Sequence, residues 1–258
     1  MKANRDIEPT LRLKSGAVTL DRRLDRVDEK DPRSRDYSIA AITPPDQYER
    51  LRSYTWSTGP TLDQGTEGAC VGFAWAHELA AKPAVVTGLT AAFARKKIYF
   101  AAQKRDNYPG GAYPGAMPFI EGTSVLGGAK AVQALGYIRE YRWAFDFWDL
   151  VAAVGYRGPA VFGCSWYAGM HTPDAEGFVS PTGTLRGGHC VALVGVKIVK
   201  DQRGDFSISD SFFKFQNSWG PDWGVEGFGK LRFEDVLTLW DGAETCIPVV
   251  RHCEPATE

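Results

Sequence analysis

Four polar residues in this 258-residue chain have the types and settings that thiol chemistry requires. Cys70 opens the run CVGFAWAHELAAK, whose alanines and large apolar residues predict a helix that begins near Cys70 and ends before Pro83. A thiol at a helix start lies at the positive end of the helix dipole, which favours the nucleophilic thiolate. Gln64 precedes it by six residues in a glycine-rich turn region. A side-chain N–H from Gln64 beside the Cys70 backbone N–H would form an oxyanion hole. His189 starts the apolar run HCVALVGV behind two glycines that leave space in front of the ring. The run reads as a buried strand, which would project His189 into a cleft and turn Cys190 to the opposite face as packing. Asn217 ends the strand-like FFKFQ. Its carbonyl oxygen can accept the histidine N–H and fix the ring's tautomer, and Trp219 can cover that bond and exclude water. Taken singly, each has an ordinary structural reading: packing cysteine, core histidine, turn asparagine, core tryptophan.

These residues need a helix and a sheet to bring them together. Helical stretches are expected at TAAFARKKIYFAAQKR, at SVLGGAKAVQALG with a cap from Thr123 or Ser124 and a stop at Gly136, and around DFWDLVAAV. The second half changes character. PAVFGCSW, HCVALVGVKIV, FSISD, FFKFQNSWG and FGKLRF read as strands. Helices first and strands later imply an α+β protein with segregated layers or two lobes. Residues 1–55 differ from the rest. LDRRLDRVDEKDPRSRDY mixes charges of both signs densely, which reads as a solvated, partly extended arm, with a short pro-segment or docking arm as the functional version.

The blocks QGTEGAC, GGHCVALVGV and NSWGPDWGVEGFGKL, in that order, resemble the three signature blocks of the papain family. The resemblance covers about residues 55–245 and makes 56–258 the expected peptidase domain. It implies a two-lobe α+β fold, with the nucleophile on a helical lobe, histidine and asparagine on a β lobe, and the cleft between. By motif position it makes Cys70 the nucleophile, His189 the base, Asn217 its orienting residue, Gln64 the oxyanion donor and Trp219 the cover. His189 and Asn217 follow Cys70 by 119 and 147 positions, against roughly 130–150 in the family. Gly122, Thr123 and Ser124 are expected to line the cleft on the helical side and Trp166 on the other.

Two departures stand beside the nucleophile. Glu67 replaces a family cysteine, which removes a disulfide and would set a carboxylate near the thiol, opposing its ionisation. Val71 replaces an aromatic residue and would alter the cleft wall. The 28 positions from His189 to Asn217 predict a projecting hairpin around KDQRGDFS. EGTSVLGGAKAVQALGY and GCSWYAGM look like the corresponding blocks of bacterial members.

The implied activity is hydrolysis of peptide or protein substrates through a thioester, without metal or organic cofactor. A cell-wall peptide hydrolase or amidase could use the same residues. A non-catalytic module of a larger assembly, such as a phage or secretion particle docked through the arm, could retain the fold without the activity. Composition bounds the remaining classes. A net charge of −1 gives no footprint for nucleic acid, no run is apolar for the length of a membrane span, and the N-terminus lacks a secretory apolar core. A cytoplasmic protein is the expectation, although non-classical export or virion association would leave no mark in the sequence. Five cysteines, no CxxC and no HExxH argue against a disulfide framework and against zinc.

Overall fold

A computed structural model describes residues 24–255, together with the backbone of a short antiparallel pairing between Leu11–Arg12 and Val18–Thr19. Two apolar cores define two lobes. The helical lobe is built on α1 (Cys70–Leu79), in which every residue is buried. A helix buried all round must satisfy its polar side chains internally. His77 does so by accepting the Leu62 N–H at 2.9 Å, and Glu78 by pairing with Arg251 at 2.7 Å. Around α1 pack α2 and α3. α2 spans residues 91–103 and is π-helical at Ala94–Tyr99. α3 (Val125–Ala134) is capped by Ser124, whose Oγ accepts the Gly127 N–H, and is followed by Gly136 at φ +78°. Trp75 and Phe73 of α1 are fully buried, each contributing roughly 1.5–3 kcal/mol by leaving water.

The β lobe holds a seven-stranded antiparallel sheet. Ahead of it in the chain, β1 (Arg26–Val27) pairs in parallel with β3 (Thr123–Ser124), outside the main sheet. The sheet itself comprises β2 (Tyr54–Thr55), β4 (Ile138–Trp143), β5 (Ala160–Tyr167), β6 (Leu185–Lys197), β7 (Phe212–Gln216), β8 (Phe228–Arg232) and β9 (Glu244–Arg251). The strand order is β8-β7-β6-β5-β9-β4, with β2 also on β6. α4 (Phe147–Tyr156), capped by Asp146, and α5 (Phe233–Leu239) pack in this lobe. The expected order of helices before strands is therefore interleaved, since β4 precedes α4 and α5 precedes β9. FSISD is not a strand. Ser207 turns the chain there by hydrogen-bonding Asp210. The expected hairpin does project, closed by a bridge between Lys200 and Phe206.

The solvated-arm reading fails at residues 24–29, buried apart from Asp28, while residues 30–55 stay mostly exposed or half-buried and are anchored at points. Leu24 and Ile39 are fully buried in the β-lobe core. Tyr48 donates to Asp149 at 2.7 Å, Arg52 to the Gly155 carbonyl at 2.7 Å and Arg142 to the Ser38 carbonyl at 3.2 Å. The physical reason is spacing. Isolated apolar residues between charges suffice to anchor a segment when the charges find partners on the lobe surface. Residues 1–23 of the arm lie outside the described residues apart from the pairing named above.

Candidate active site

The loop before α1 presents Gln64 and Cys70 to the β lobe. Its entrance is fixed by the His77 bond to Leu62, which sets the chain two residues before Gln64. Gln64 then joins β-lobe residues directly. Its N–H donates to the Ser218 carbonyl at 2.9 Å, and its side-chain oxygen accepts from the Ser218 hydroxyl. With that oxygen occupied, the amide nitrogen is turned the other way and donates to the Glu67 carbonyl at 2.8 Å. Glu121 holds the next turn by accepting the Gly68 N–H at 2.8 Å.

On the β lobe, His189 lies on β6 opposite Cys164 of β5. His189 Nε2 lies 2.8 Å from Asn217 Oδ1, and the same oxygen accepts the Ser218 backbone N–H at 2.8 Å. A backbone N–H can only donate, so the atom it meets is the carbonyl oxygen, and His189 Nε2 carries the proton. Nδ1 is then the basic nitrogen of the neutral ring. Trp219 stacks at 4.9 Å from the imidazole, tilted by 36°. Trp166 meets the ring edge-on at 4.7 Å. Trp166 is fully buried and also packs on Trp219 and Phe215, so it backs the histidine and does not line the cleft as expected. A long apolar side chain on a strand flanked by two others is drawn into the core.

Cys70 meets this strand. The backbone N–H groups of Cys190, Val71 and Asp25 each reach the sulfur and favour its thiolate. Burial nevertheless pushes the thiol up to about 12, with the Asp25 carboxylate adding to the rise. The helix-start advantage expected for Cys70 is thus outweighed while the sulfur is fully covered. Glu67 is not the opposing carboxylate. It is ion-paired with Arg95, and the charge bearing on Cys70 comes from Asp25. Val71 points into the helical-lobe core and is not part of a cleft wall.

The cover is the chain's own residues 24–29. β1 runs parallel to β3, the Asp25 carbonyl accepts the Thr123 N–H at 3.3 Å, and Asp25 bridges to Gly188 on β6. The segment therefore spans both lobes directly above Cys70. A Cβ at Gly68 would fall 1.2 Å from Asp25 Oδ2, one at Gly122 2.7 Å from the Asp25 carbonyl, and one at Gly188 2.2 Å from the Arg26 carbonyl. Gly122, Thr123 and Ser124, expected at the cleft, lie against this arm. The Ser124 hydroxyl also donates to the Glu29 carboxylate. Asp25, Arg26 and His77 were not singled out by sequence reasoning. The signal for the first two was available in the strand glycines, since a glycine inside a strand marks close approach of another backbone.

No protein-family model matches the sequence, and no curated protein matches it. Solved structures do resemble the fold. Xylellain, a cysteine protease from Xylella fastidiosa, superposes with a TM-score of 0.65 over 90% of this chain and 97% of that one, at 20% identity. Digestive procathepsin L 3 of Tenebrio molitor larval midgut gives 0.55 over 90% and 75%, at 15% identity. The proform of the ragweed pollen cysteine protease Amb a 11 gives 0.51 over 83% and 71%, at 18% identity. The chain has the fold of papain-like cysteine proteases.

Proposed function

On a papain-like fold, we propose that this chain is a cysteine peptidase held in a covered state by its own N-terminal arm. The observation that carries the reading is the bond of fixed polarity between Asn217 and His189, on the strand whose next N–H reaches the Cys70 sulfur. That arrangement sets the Cys70 thiol, at the start of α1, against the strand that carries the basic imidazole nitrogen, with an amide donor from Gln64 on the loop that leads to the thiol. With the arm displaced, the thiol regains solvent and loses the Asp25 charge, so proton transfer to His189 becomes favourable. The thiolate attacks a peptide carbonyl, and the oxyanion takes hydrogen bonds from the Cys70 N–H and Gln64 Nε2. The C–N bond breaks as His189 protonates the leaving amine. Water, deprotonated by His189, then hydrolyses the thioester and restores the thiol. Two of the structurally similar proteases are themselves proforms, which supports reading residues 24–29 as a cleft-covering segment.

The test uses the full chain with Arg26→Ala, which loosens the arm. An active-site-directed thiol epoxide is expected to label Cys70 once per chain, and the label is expected to vanish when His189→Ala is added. Casein hydrolysis should accompany labelling and be lost with Cys70→Ser. A folded Arg26→Ala chain that neither labels at Cys70 nor cleaves casein overturns the proposal.

A further inference from the structure

The turn that carries the Gln64 amide towards Cys70 has no covalent support, since all five cysteines are free. Its bonds to the β lobe are made at Gln64, through the Ser218 carbonyl and hydroxyl. The next two residues, Gly65 and Thr66, are exposed. From inside, the turn is closed by Gln64 Nε2 donating to the Glu67 carbonyl at 2.8 Å. An amide nitrogen carries two hydrogens. The bond to Glu67 uses one of them, so the position of the Glu67 backbone decides where the other points.

A side chain from another element grips the same two residues from outside. Arg95 Nε donates to Glu67 Oε2, and Nη2 donates to the Gln64 carbonyl at 3.2 Å. Two acceptors taken by two different guanidinium nitrogens suit a planar fork, which an ammonium cannot reproduce. Arg95 Cζ also lies 5.9 Å from the ring centre of Phe73, one turn beyond Cys70 on α1. Backbone contact sets Arg95 there. A Cβ at Gly72 would fall 2.9 Å from the Ala94 carbonyl and 2.6 Å from Tyr99 Cβ, so glycine lets the π-helical part of α2 press on α1 two residues past the nucleophile. Widened turns of this kind are frequent at functional sites. The same turn steadies the other loop of this lobe, where the Tyr99 hydroxyl accepts the Gly122 N–H at 2.8 Å.

The Arg95 and Glu67 side chains are 31% and 22% exposed. An ion pair so open to water adds little to global stability. Its effect is local, on a turn that has few other holds.

Resting on the peptidase reading, we propose that Arg95 is a positioning residue for the oxyanion donor. With Glu67 it forms an ionic clamp that fixes the turn and keeps the second Gln64 Nε2 hydrogen directed at the oxyanion. A donor that meets charge developing only in the transition state acts on kcat and leaves KM alone.

The experiment uses full-length Arg26→Ala, in which the cleft is uncovered, and a fluorescence-quenched peptide spanning a casein bond that this chain cleaves. Adding Arg95→Ala should lower kcat about tenfold with KM within about twofold, against roughly 10²-fold or more for Gln64→Ala. Arg95→Lys, reaching one acceptor, should fall between. In the Gln64→Ala background, Arg95→Ala should change kcat by less than about twofold, because the group it positions is gone. Arg95→Gln substitutes for Arg95→Ala if the latter does not fold. A kcat unchanged by Arg95→Ala, a loss of similar size with and without Gln64, or a loss confined to KM overturns the clamp and leaves the peptidase reading intact. Absence of hydrolysis together with unlabelled Cys70 in the Arg26→Ala chain overturns the peptidase reading. The clamp itself is then decided by hydrogen exchange in the full chain. Arg95→Ala should speed exchange at the bonded amides of Gln64, Gly68 and Ala69 about tenfold, while residues 75–79 of α1 keep their protection, and unchanged exchange at those three amides refutes it.

Discussion

Replacing Arg26 by alanine should speed modification of Cys70 without unfolding the protein. In the covered state Cys70 is fully buried and its thiol lies near 12, so alkylation at neutral pH requires the arm to lift. Arg26 contributes one charge-assisted hydrogen bond to Glu244 and one to the Gly242 carbonyl, with its stem buried over Gly163. Removing one partner of a buried pair costs about 3–5 kcal/mol when the other is stranded as a charge. Glu244 escapes part of that cost, because its carboxyl at about 7 can take a proton near neutral pH. The loss to the closed state is then about 2–3 kcal/mol, which raises the open fraction roughly 30- to 150-fold. Iodoacetamide labelling, followed by peptide mass spectrometry, reads this directly and carries its own controls. Cys253 is exposed and should react alike in both proteins, while Cys246, buried in the helical-lobe core, should stay protected unless the chain unfolds. Arg26→Lys, which keeps the charge but reaches one acceptor only, should fall between. A Cys70 rate in Arg26→Ala within about threefold of the wild-type rate, with Cys246 protected, would refute the arm's role as a cover.

Asn217→Ala in the Arg26→Ala background removes the acceptor that holds His189 Nε2–H, and kcat for peptide hydrolysis should fall on the order of 10²-fold or more with the fold unchanged by circular dichroism. His77 is held neutral by burial with its pKa lowered to about 3 from 6.5. Between those values the unfolded chain binds a proton that the folded chain refuses, so stability should fall as pH drops below 6.5, by about 1.4 kcal/mol per pH unit, and His77→Gln should flatten that slope in urea titrations at pH 7 and pH 5. Glu78→Ala strands the buried Arg251 guanidinium and should lower the thermal midpoint by roughly 10 °C, as read by calorimetry.

The site was more legible in the sequence than the element that covers it. Cys70 and Asn217 stand at element boundaries and His189 stands inside β6 where its buried run begins, so each is a chemistry-bearing residue at the edge of an apolar run, and such edges are local signals. The helices at 125–134 and 147–156 carried their own caps, Ser124 and Asp146, and the helix at 70–79 ended ahead of a breaker, Pro83. β4 and β9 carried no such signals, because IREYRW is mostly polar and ETCIPVVR contains a proline. β9 becomes a strand by pairing with β5 on one side and β4 on the other, and β4 by pairing with β9. Glu67 and Val71 were placed by adjacency to Cys70, but in a turn entering a helix adjacent residues point to different sides, one to Arg95 and one into the core. The arm was the least legible. Its charges read as solvation, whereas the structure uses Asp25 and Arg26 as internal groups whose partners, Cys70 and Glu244, lie far along the chain. Pairings over such separations leave no periodicity to read.

On its C-terminal side, the stretch of the arm that crosses the cleft is firmly stitched down. Beyond Glu29 the chain is fastened by Ile39 in the core, the Ser38–Trp143 bridge and β2 in the sheet. The cleft segment is therefore a tethered competitor, present at an effective concentration on the order of millimolar whatever the protein concentration. A free peptide of ordinary affinity loses that contest in the intact chain, and dilution does not help it. Severing the connection between Glu29 and Ser38 changes the contest without altering a single contact in the cleft. The same segment becomes a diffusible ligand that one dilution removes, and the change does not reverse. On the peptidase reading, a covalent event some distance from Cys70 would thus convert a concentration-independent brake into one that dissipates, which makes the short link at residues 30–37 an economical point of control.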